Sequence, residues 1–308
     1  MWTLEPEVLL AAALLDFLIG DPRGWPHVTR GAGAVITRGE RLLRRLGWDG
    51  IGGGFLLAGG AILALLLPAL LLHHLLGLVW APLAFAGEVL IVYQCLAYRD
   101  LIRHARAVAG PLLAGDLQTA RAKVGWIVGR DTDQLDETEV SRAAVEAVAE
   151  STNDGVLAPL FWAVVLGPAG ALIFRLANTL DSMVGHRDEQ YERLGKASAR
   201  LDDVLGFIPA RISALALLAV CGRVPSRAMA ADARRHASPN AGWPESALAH
   251  GLNLRLGGLN HYDGEPHPGP RFHPSGPPPA PTDIARACDT LTRAYALALG
   301  LACLGSGL

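Results

Sequence analysis

Residues 51–72 carry no charged side chain, and residues 75–98 carry a single one, Glu88. An apolar helix of about 18 residues or more is long enough to cross the hydrocarbon of a bilayer. The pair therefore reads as a membrane-embedded hairpin that turns near His73 and His74. Residues 155–174 make a third run, and three shorter or charged runs flank these: 8–20 with Asp16, 204–221 with Arg211, and 294–308. The first has Glu5 and Glu7 where a signal peptide carries basic residues, so it is read as retained. With 51% hydrophobic and only 18% charged residues, against roughly 25% charged in soluble domains, the chain is short of side chains to cover a water-facing surface. We expect an all-α polytopic membrane protein, a single membrane-embedded domain with about five to six membrane-embedded helices, some broken or re-entrant, plus cytoplasmic amphipathic helices.

A formal net charge of -2 argues against a nucleic-acid partner. The four cysteines, Cys95, Cys221, Cys288 and Cys303, form no CxxC pair and read as small buried hydrophobes. Arg38, Arg41, Arg44 and Arg45 precede the hairpin and Arg99, Arg103 and Arg106 follow it, which puts both ends on the cytoplasmic side by the positive-inside rule. Residues 99–155 are then a cytoplasmic helical segment. Residues 222–290 are a second one, with a mobile Pro- and Gly-rich loop over 263–281. His267 and His273 in that loop have no ligand spacing.

One difficulty follows. If residues 155–174 span fully, the polar stretch 175–203 lies across the membrane from 128–155. Pro159, Gly167, Pro168 and Gly170 all weaken or break a helix, so a re-entrant or broken helix is expected, which gathers the polar residues of 128–211 on the cytoplasmic face.

Asp136 or Thr138 can cap a helix through EVSRAAVEAVAES, and the Ser-Thr-Asn-Asp-Gly stretch at 151–155 is suited to ending it. Glu139, Glu146 and Glu150 are spaced by seven and four residues, which places them on one helical face. The ordinary reading of that face is a solvated stripe in which Arg142 pairs with Glu146. The neighbours shift the balance, because Asp131, Asp133, Asn153, Asp154, Asp181, Asp202 and Asp203 supply hard oxygens suited to Mg²⁺ and through it to phosphates. Arg130, Arg200 and Arg211 can clamp phosphate or carboxylate oxygens. Further on, Asn240, Glu245, Arg255 and Asn260 flank a Trp-Pro pair and an amphipathic helix. A P-loop is excluded, since Gln190 stands where its first glycine would precede Gly195 and Lys196, and HExxH, GxSxG and GxGxxG are absent.

The blocks GDPRGWPH, VGRDT, RAAVEAVAESTNDGVLAPLF, ANTLDSMVG, SARLDDVLGFIPAR and SPNAGWPESALAHGLNLRLGG, in that order, resemble the adenosylcobinamide-phosphate synthase family, integral-membrane cobalamin-biosynthesis proteins of the CbiB/CobD type. The chain departs from the pattern where Val28 follows His27, at Phe161-Trp162, and at Ser151. The resemblance implies an ATP-dependent acid–amine ligase in the cell (inner) membrane, with its active site on the cytoplasmic side. It joins a carboxylate of adenosylcobyric acid to (R)-1-aminopropan-2-ol or its phosphate. ATP and Mg²⁺ are the implied cofactors and the corrinoid and a small amino alcohol the substrates. Other membrane-associated cobamide-assembly enzymes and an oligomer stay open as partners.

Carried onto this sequence, Glu146, Glu150, Asp181 and Asp202 are expected to serve catalysis. Arg130, Thr132, Asn153, Asn178, Ser182, Arg200, Arg211, Asn240 and Glu245 would bind substrate or phosphate, and Asp131, Asp154 and Asp203 a metal. A carboxylate is a poor acyl donor at neutral pH, so activation by phosphate fits a site of this composition. Two other readings compete: a non-enzymatic membrane sensor related to a β-lactamase-induction protein, and a transporter built on broken helices.

Overall fold

The computed structural model describes residues 5–306 other than 23 and 187. In chain order the helices are α1 (Pro6–Ile19), α2 (Val28–Arg45), α3 (Ile51–Val79), α4 (Ala81–Cys95), α5 (Tyr98–Leu113), α6 (Leu117–Val124), α7 (Glu137–Ser151), α8 (Ala158–Val184), α9 (Lys196–Val220), α10 (Arg227–Ala233) and α11 (Gly242–Leu252). Strands β1 (Leu256–Tyr262) and β2 (Glu265–Phe272) follow, and α12 (Pro281–Ser306) ends the described chain. Among the described residues the fold is helical, with one small two-stranded sheet, and five helical stretches are long and apolar enough to cross a membrane. The chain divides into two compact units. One holds the described residues of Met1–Ala97, Ala158–Gly206 and Leu301–Leu308, the other Tyr98–Leu157 and Phe207–Gly300.

The first unit has the surface of a membrane protein. Phe55, Leu63, Leu67, Leu71 and Leu78 of α3 are all more than half exposed, an arrangement that water would penalise and lipid does not. Gly53, Gly54, Leu57, Ala58 and Ala61 form the buried face, where small side chains admit close neighbours. A Cβ on Gly54 would sit 2.1 Å from the carbonyl oxygen of Leu194, so only glycine permits that approach. The hairpin turn lies later than expected. His73 and His74 stay inside α3, and the helix breaks at Trp80, whose backbone is extended (φ -167°, ψ 122°), just before Pro82 enters the first turn of α4. Polarity does not break an i→i−4 ladder, whereas a proline ring at a helix start sets a boundary. His73 Nε2 instead lies 3.5 Å from Glu88 Oε1, so the hairpin's only carboxylate has a basic neighbour.

The expected break in 155–174 is present at Gly167, in a positive-φ conformation (φ 68°, ψ -164°) ahead of Pro168. Beyond it the chain folds back on itself: a Cβ on Gly170 would lie 2.2 Å from the Trp162 carbonyl oxygen and 2.6 Å from Leu166 Cβ. In a straight helix, residues eight apart are about 12 Å apart along the axis. The α8 segment is therefore a short arm, a reversal and a long arm, which is a re-entrant geometry.

In the second unit α7 is the centre, with every residue from Val140 to Ala149 buried. Asp136 caps it through a capping box, its side chain accepting from the Glu139 amide at 2.8 Å while Glu139 accepts from the Asp136 amide at 3.0 Å. Thr138 lies inside the helix. The Ser-Thr-Asn-Asp-Gly stretch does not turn the chain. Residues Thr152–Leu157 form one π-helical turn that leads into α8. There the Thr152 hydroxyl donates to the Val148 carbonyl at 2.7 Å, so turn-forming side chains are used within the helix. Such π turns are frequent at functional sites.

Within the stretch expected to be a mobile loop over 263–281, residues Glu265–Phe272 form strand β2. β1 and β2 pair antiparallel, from Leu256 against Phe272 to Tyr262 against Glu265, with an irregularity between Gly257 and Leu259. Pro266, Pro268 and Pro270 alternate along β2, and an edge strand accepts prolines where no ladder donor is needed. Asp131 clasps the hairpin turn, accepting from the amides of Asp263 (3.2 Å) and Gly264 (2.8 Å).

Candidate functional site

Burial removes the solvated-stripe reading at Glu146, while the expected Arg142–Glu146 pair is present and Glu150 stays exposed. The Glu146 carboxylate accepts from Arg130 Nη2 at 2.8 Å, Arg142 Nη1 at 3.2 Å and the Gly257 amide at 2.7 Å. Arg142 also reaches the carbonyls of Gly257 and Leu259, and Arg130 Nη1 donates to Asn260 Oδ1 at 2.5 Å. Side chains of this trio are 11% exposed or less, so each charge depends on its partners. The buried Nε–H of Arg130 has no acceptor among the described residues, and a ligand oxygen would relieve that cost.

Glu245, in the first turn of α11, is buried close to this trio. Burial, and after it the negative charges of Glu150 and Glu146, push its carboxyl well above the usual range, with Arg130 and Arg142 pulling the other way. His236 Nε2 lies 3.9 Å from Glu245 Oε1. His236 Nδ1 lies 3.0 Å from the Ser238 amide nitrogen and 3.3 Å from the Ser238 carbonyl oxygen, so the Ser238 backbone engages that nitrogen and Nε2 faces Glu245. Burial holds His236 below its ordinary value, so the neutral ring is favoured near neutrality.

His236 lines a cavity of about 480 Å³ with Phe207, Arg211, Arg234, Ser238 and Trp243. Arg211 lies over two rings, its guanidinium carbon 3.6 Å from the Phe207 centroid and 4.8 Å from that of Trp243. Nη1 donates to the Phe207 carbonyl (2.7 Å) and to Asn240 Oδ1 (3.0 Å), and Nη2 to the Pro239 carbonyl (3.1 Å). That leaves Nε–H and one Nη2 proton without a protein acceptor among the described residues, a pair suited to one carboxylate or phosphate.

The expected site residues fall in two groups. Arg130, Glu146, Arg211, Asn240 and Glu245 belong to the network and cavity just described. Asn153 and Thr132 lie in the same unit, Asn153 accepting from the Ser213 hydroxyl at 3.0 Å and donating to Asp154 at 2.6 Å, Thr132 packing near Gly125. Glu150 is exposed at the end of α7. The first unit holds the others: Asn178 Nδ2 is 3.4 Å from Asp202 Oδ1, Ser182 donates to the Asn178 carbonyl, Asp181 borders Gly185, and Arg200 pairs loosely with Asp203 at 3.6 Å. Of the expected metal ligands, Asp131 and Asp154 belong to the second unit and Asp203 to the first. Asp131 is engaged by the hairpin amides, Asp154 by Asn153 and Asp203 by Arg200. Among the described residues no three His, Cys, Asp or Glu side chains converge as metal ligands.

Sequence reasoning missed His236, Arg234 and Phe207. His236 stands just before SPNAGWP, and a basic run Arg234-Arg235-His236 ahead of a turn is the signal that could have found it.

Comparison with known proteins agrees with the sequence blocks. A family model described as CobD/Cbib protein matches residues 9–291. The chain is 41% identical over 306 residues to the cobalamin biosynthesis protein CobD of Klebsiella pneumoniae, covering 94% of each chain. It is 45% identical over 273 residues to the CobD of Pelobacter propionicus, covering 84% of this chain and 82% of that one. It is 39% identical over 306 residues to the cobalamin biosynthesis protein CbiB of Salmonella choleraesuis, again covering 94% of each. No solved structure matches. With a family model spanning most of its length and relatives this similar end to end, the chain belongs to the CobD/CbiB family, whose members are named for cobalamin biosynthesis.

Proposed function

We propose that this protein acts in cobalamin biosynthesis as an ATP-dependent ligase that joins a corrinoid carboxylate to a small amino alcohol or its phosphate. The observation that carries this reading is the cavity in which Arg211 offers two unused donors beside the His236–Glu245 pair. Amide formation needs both halves of that pairing. An anion must be held while its carboxylate is activated by phosphoryl transfer from ATP, and an ammonium must lose a proton before its nitrogen can attack.

In this mechanism Arg211, its guanidinium carbon over the Phe207 and Trp243 rings, binds the acyl phosphate oxygens by a two-point contact. Arg234 at the cavity wall adds positive charge. The amine docks near Glu245, whose raised proton affinity makes its ionised form a stronger base than an ordinary carboxylate. Glu245 takes the ammonium proton directly. Attack on the acyl carbon forms the C–N bond, breaks the C–O bond to phosphate and releases inorganic phosphate. At about 480 Å³ the cavity is of the size that receives a ligand's reacting end, and a corrin ring would stay outside it.

The test is direct assay of purified protein in detergent with ATP, corrinoid acid and amine. Amide product with ATP consumption only when both acceptor and donor are present supports the proposal. ATP-independent counterflow of corrinoid in proteoliposomes, without amide product, would replace it by transport.

A further inference from the structure

A second cavity, of about 280 Å³, opens in the same unit between the end of α9 and the first half of α12, lined by Val220, Cys221, Gly251, Arg286, Thr290 and Arg293 among others. Its electrostatics are positive. Arg286 and Arg293 both line it, and Arg223 follows Cys221 by two residues in the chain. Arg286 is anchored, Nη1 to Asp283 at 2.5 Å and Nη2 to the Leu252 carbonyl at 3.1 Å. Arg293 is exposed and makes no hydrogen bond or ion pair among the described residues. The opposing charge is Asp289, which also lines the cavity but faces Arg106 at 3.8 Å.

Position gives this patch its meaning. From residue 294 to residue 306, α12 has no charged side chain, and α9 has none from residue 212 until Arg223 follows its end. Two apolar runs therefore meet the cavity at their polar boundary. Arg286, Thr290, Arg293 and Leu297 are spaced by four, three and four residues, so they share one face of α12. Leu297 there and Leu215 of α9 are exposed, at 39% and 52%.

A basic cavity at the polar end of an apolar run, with exposed Leu297 on the same face of α12 as Arg286 and Arg293, matches an amphiphile with an anionic head and acyl tails. We propose that Arg286 and Arg293 bind the phosphodiester of an anionic phospholipid whose chains lie along Leu297 and the uncharged run of α12 beyond it. Free phosphate shares the head chemistry but would leave Leu297 uncovered.

The test compares lipid retention by wild-type protein and Arg286→Gln/Arg293→Gln, purified in mild detergent and read by native mass spectrometry after exposure to phosphatidylglycerol or phosphatidylcholine. Wild type should retain phosphatidylglycerol selectively. The double variant should hold it about 30-fold more weakly, taking about fivefold per arginine near a membrane surface. Arg103→Gln, which removes an exposed Arg paired with Asp100, should not matter. If the double variant fails to fold, Arg293→Gln alone serves, since that side chain holds nothing in place. Equal retention in variant and wild type overturns the proposal. Displacement of the lipid by millimolar inorganic phosphate, with no difference between the two lipids, assigns the site to free phosphate and overturns it as well.

Discussion

The two units treat their polar residues in opposite ways. In the first, the ion pair Arg200–Asp203 is loose, with the Arg200 side chain 74% exposed, and Asn178 meets Asp202 at the long distance of 3.4 Å. In the second, Arg130, Arg142 and Glu146 are buried to 11% side-chain exposure or less and tied by charge-assisted bonds. Exposed pairs contribute little to stability, while a buried charge robbed of its partner is costly. Similar residue types thus have different consequences, and substitutions can separate them.

The largest effect is expected at the buried trio. Glu146→Ala leaves two guanidinium groups and the Gly257 amide without their acceptor, a loss of about 3–5 kcal/mol by analogy with other broken buried pairs. Thermal unfolding in detergent should show a collapse in midpoint or no folded protein. A midpoint within a degree or two of wild type would mean the trio is as dispensable as a surface pair, and the contrast between the units would disappear.

Next in size is Glu245→Gln. Here the fold should survive, because an amide resembles the protonated carboxyl that burial favours, while amide synthesis should fall about 10²–10⁴-fold as expected on losing a general base. The pH dependence follows from the raised proton affinity. The unfolded carboxyl ionises above its ordinary value of 4.5 while the buried one stays protonated, so Glu245 disfavours folding progressively as pH rises from there toward its folded value. Denaturation of wild type from pH 4 upward should show this decline, and Glu245→Gln should flatten it. An unchanged slope would remove Glu245 from the titrating groups.

These residues show what sequence can and cannot carry. The membrane hairpin, the break at Gly167 and the cap at Asp136 were legible, because each depends on local chemistry: uncharged length, a Gly-Pro pair and a capping-box spacing. Glu146 and Arg142 were visible as a helical pair, but their burial depends on Gly257 and Asn260, more than a hundred residues away. Long-range packing also hid the β-hairpin, whose prolines look like a loop until their alternation is set against an edge strand. His236 was missed for the same reason, since its importance comes from Glu245 and a cavity wall. The expected single cluster over 128–211 was drawn from proximity in sequence, and the fold distributes its members between two units.

An intermediate effect belongs to the reversal in α8. Gly170→Val places a side chain where even a Cβ would stand 2.2 Å from the Trp162 carbonyl, so the arms must part, at about 1–3 kcal/mol for overpacking. The lowered midpoint should come with greater cysteine-labelling access at a residue introduced in place of exposed Val165. A neutral midpoint and unchanged access would show that the arms do not pack as tightly as described.

The smallest stability effect tests the other side of the comparison. Arg200→Gln removes a guanidinium that is mostly solvated and 3.6 Å from Asp203, and exposed pairs of this kind are worth about 0–1 kcal/mol. Unfolding should barely change. Activity then becomes informative, because any loss comes from what Arg200 does for a ligand and not from the fold. The resemblance assigns Arg200 to phosphate or substrate binding, which predicts a raised KM for ATP or corrinoid with a near-native midpoint. An unchanged KM would leave Arg200 as a surface charge and confine the proposed chemistry to the unit that holds Arg211, His236 and Glu245. A large drop in midpoint would instead show that the polar residues of the first unit are as structurally committed as those of the second.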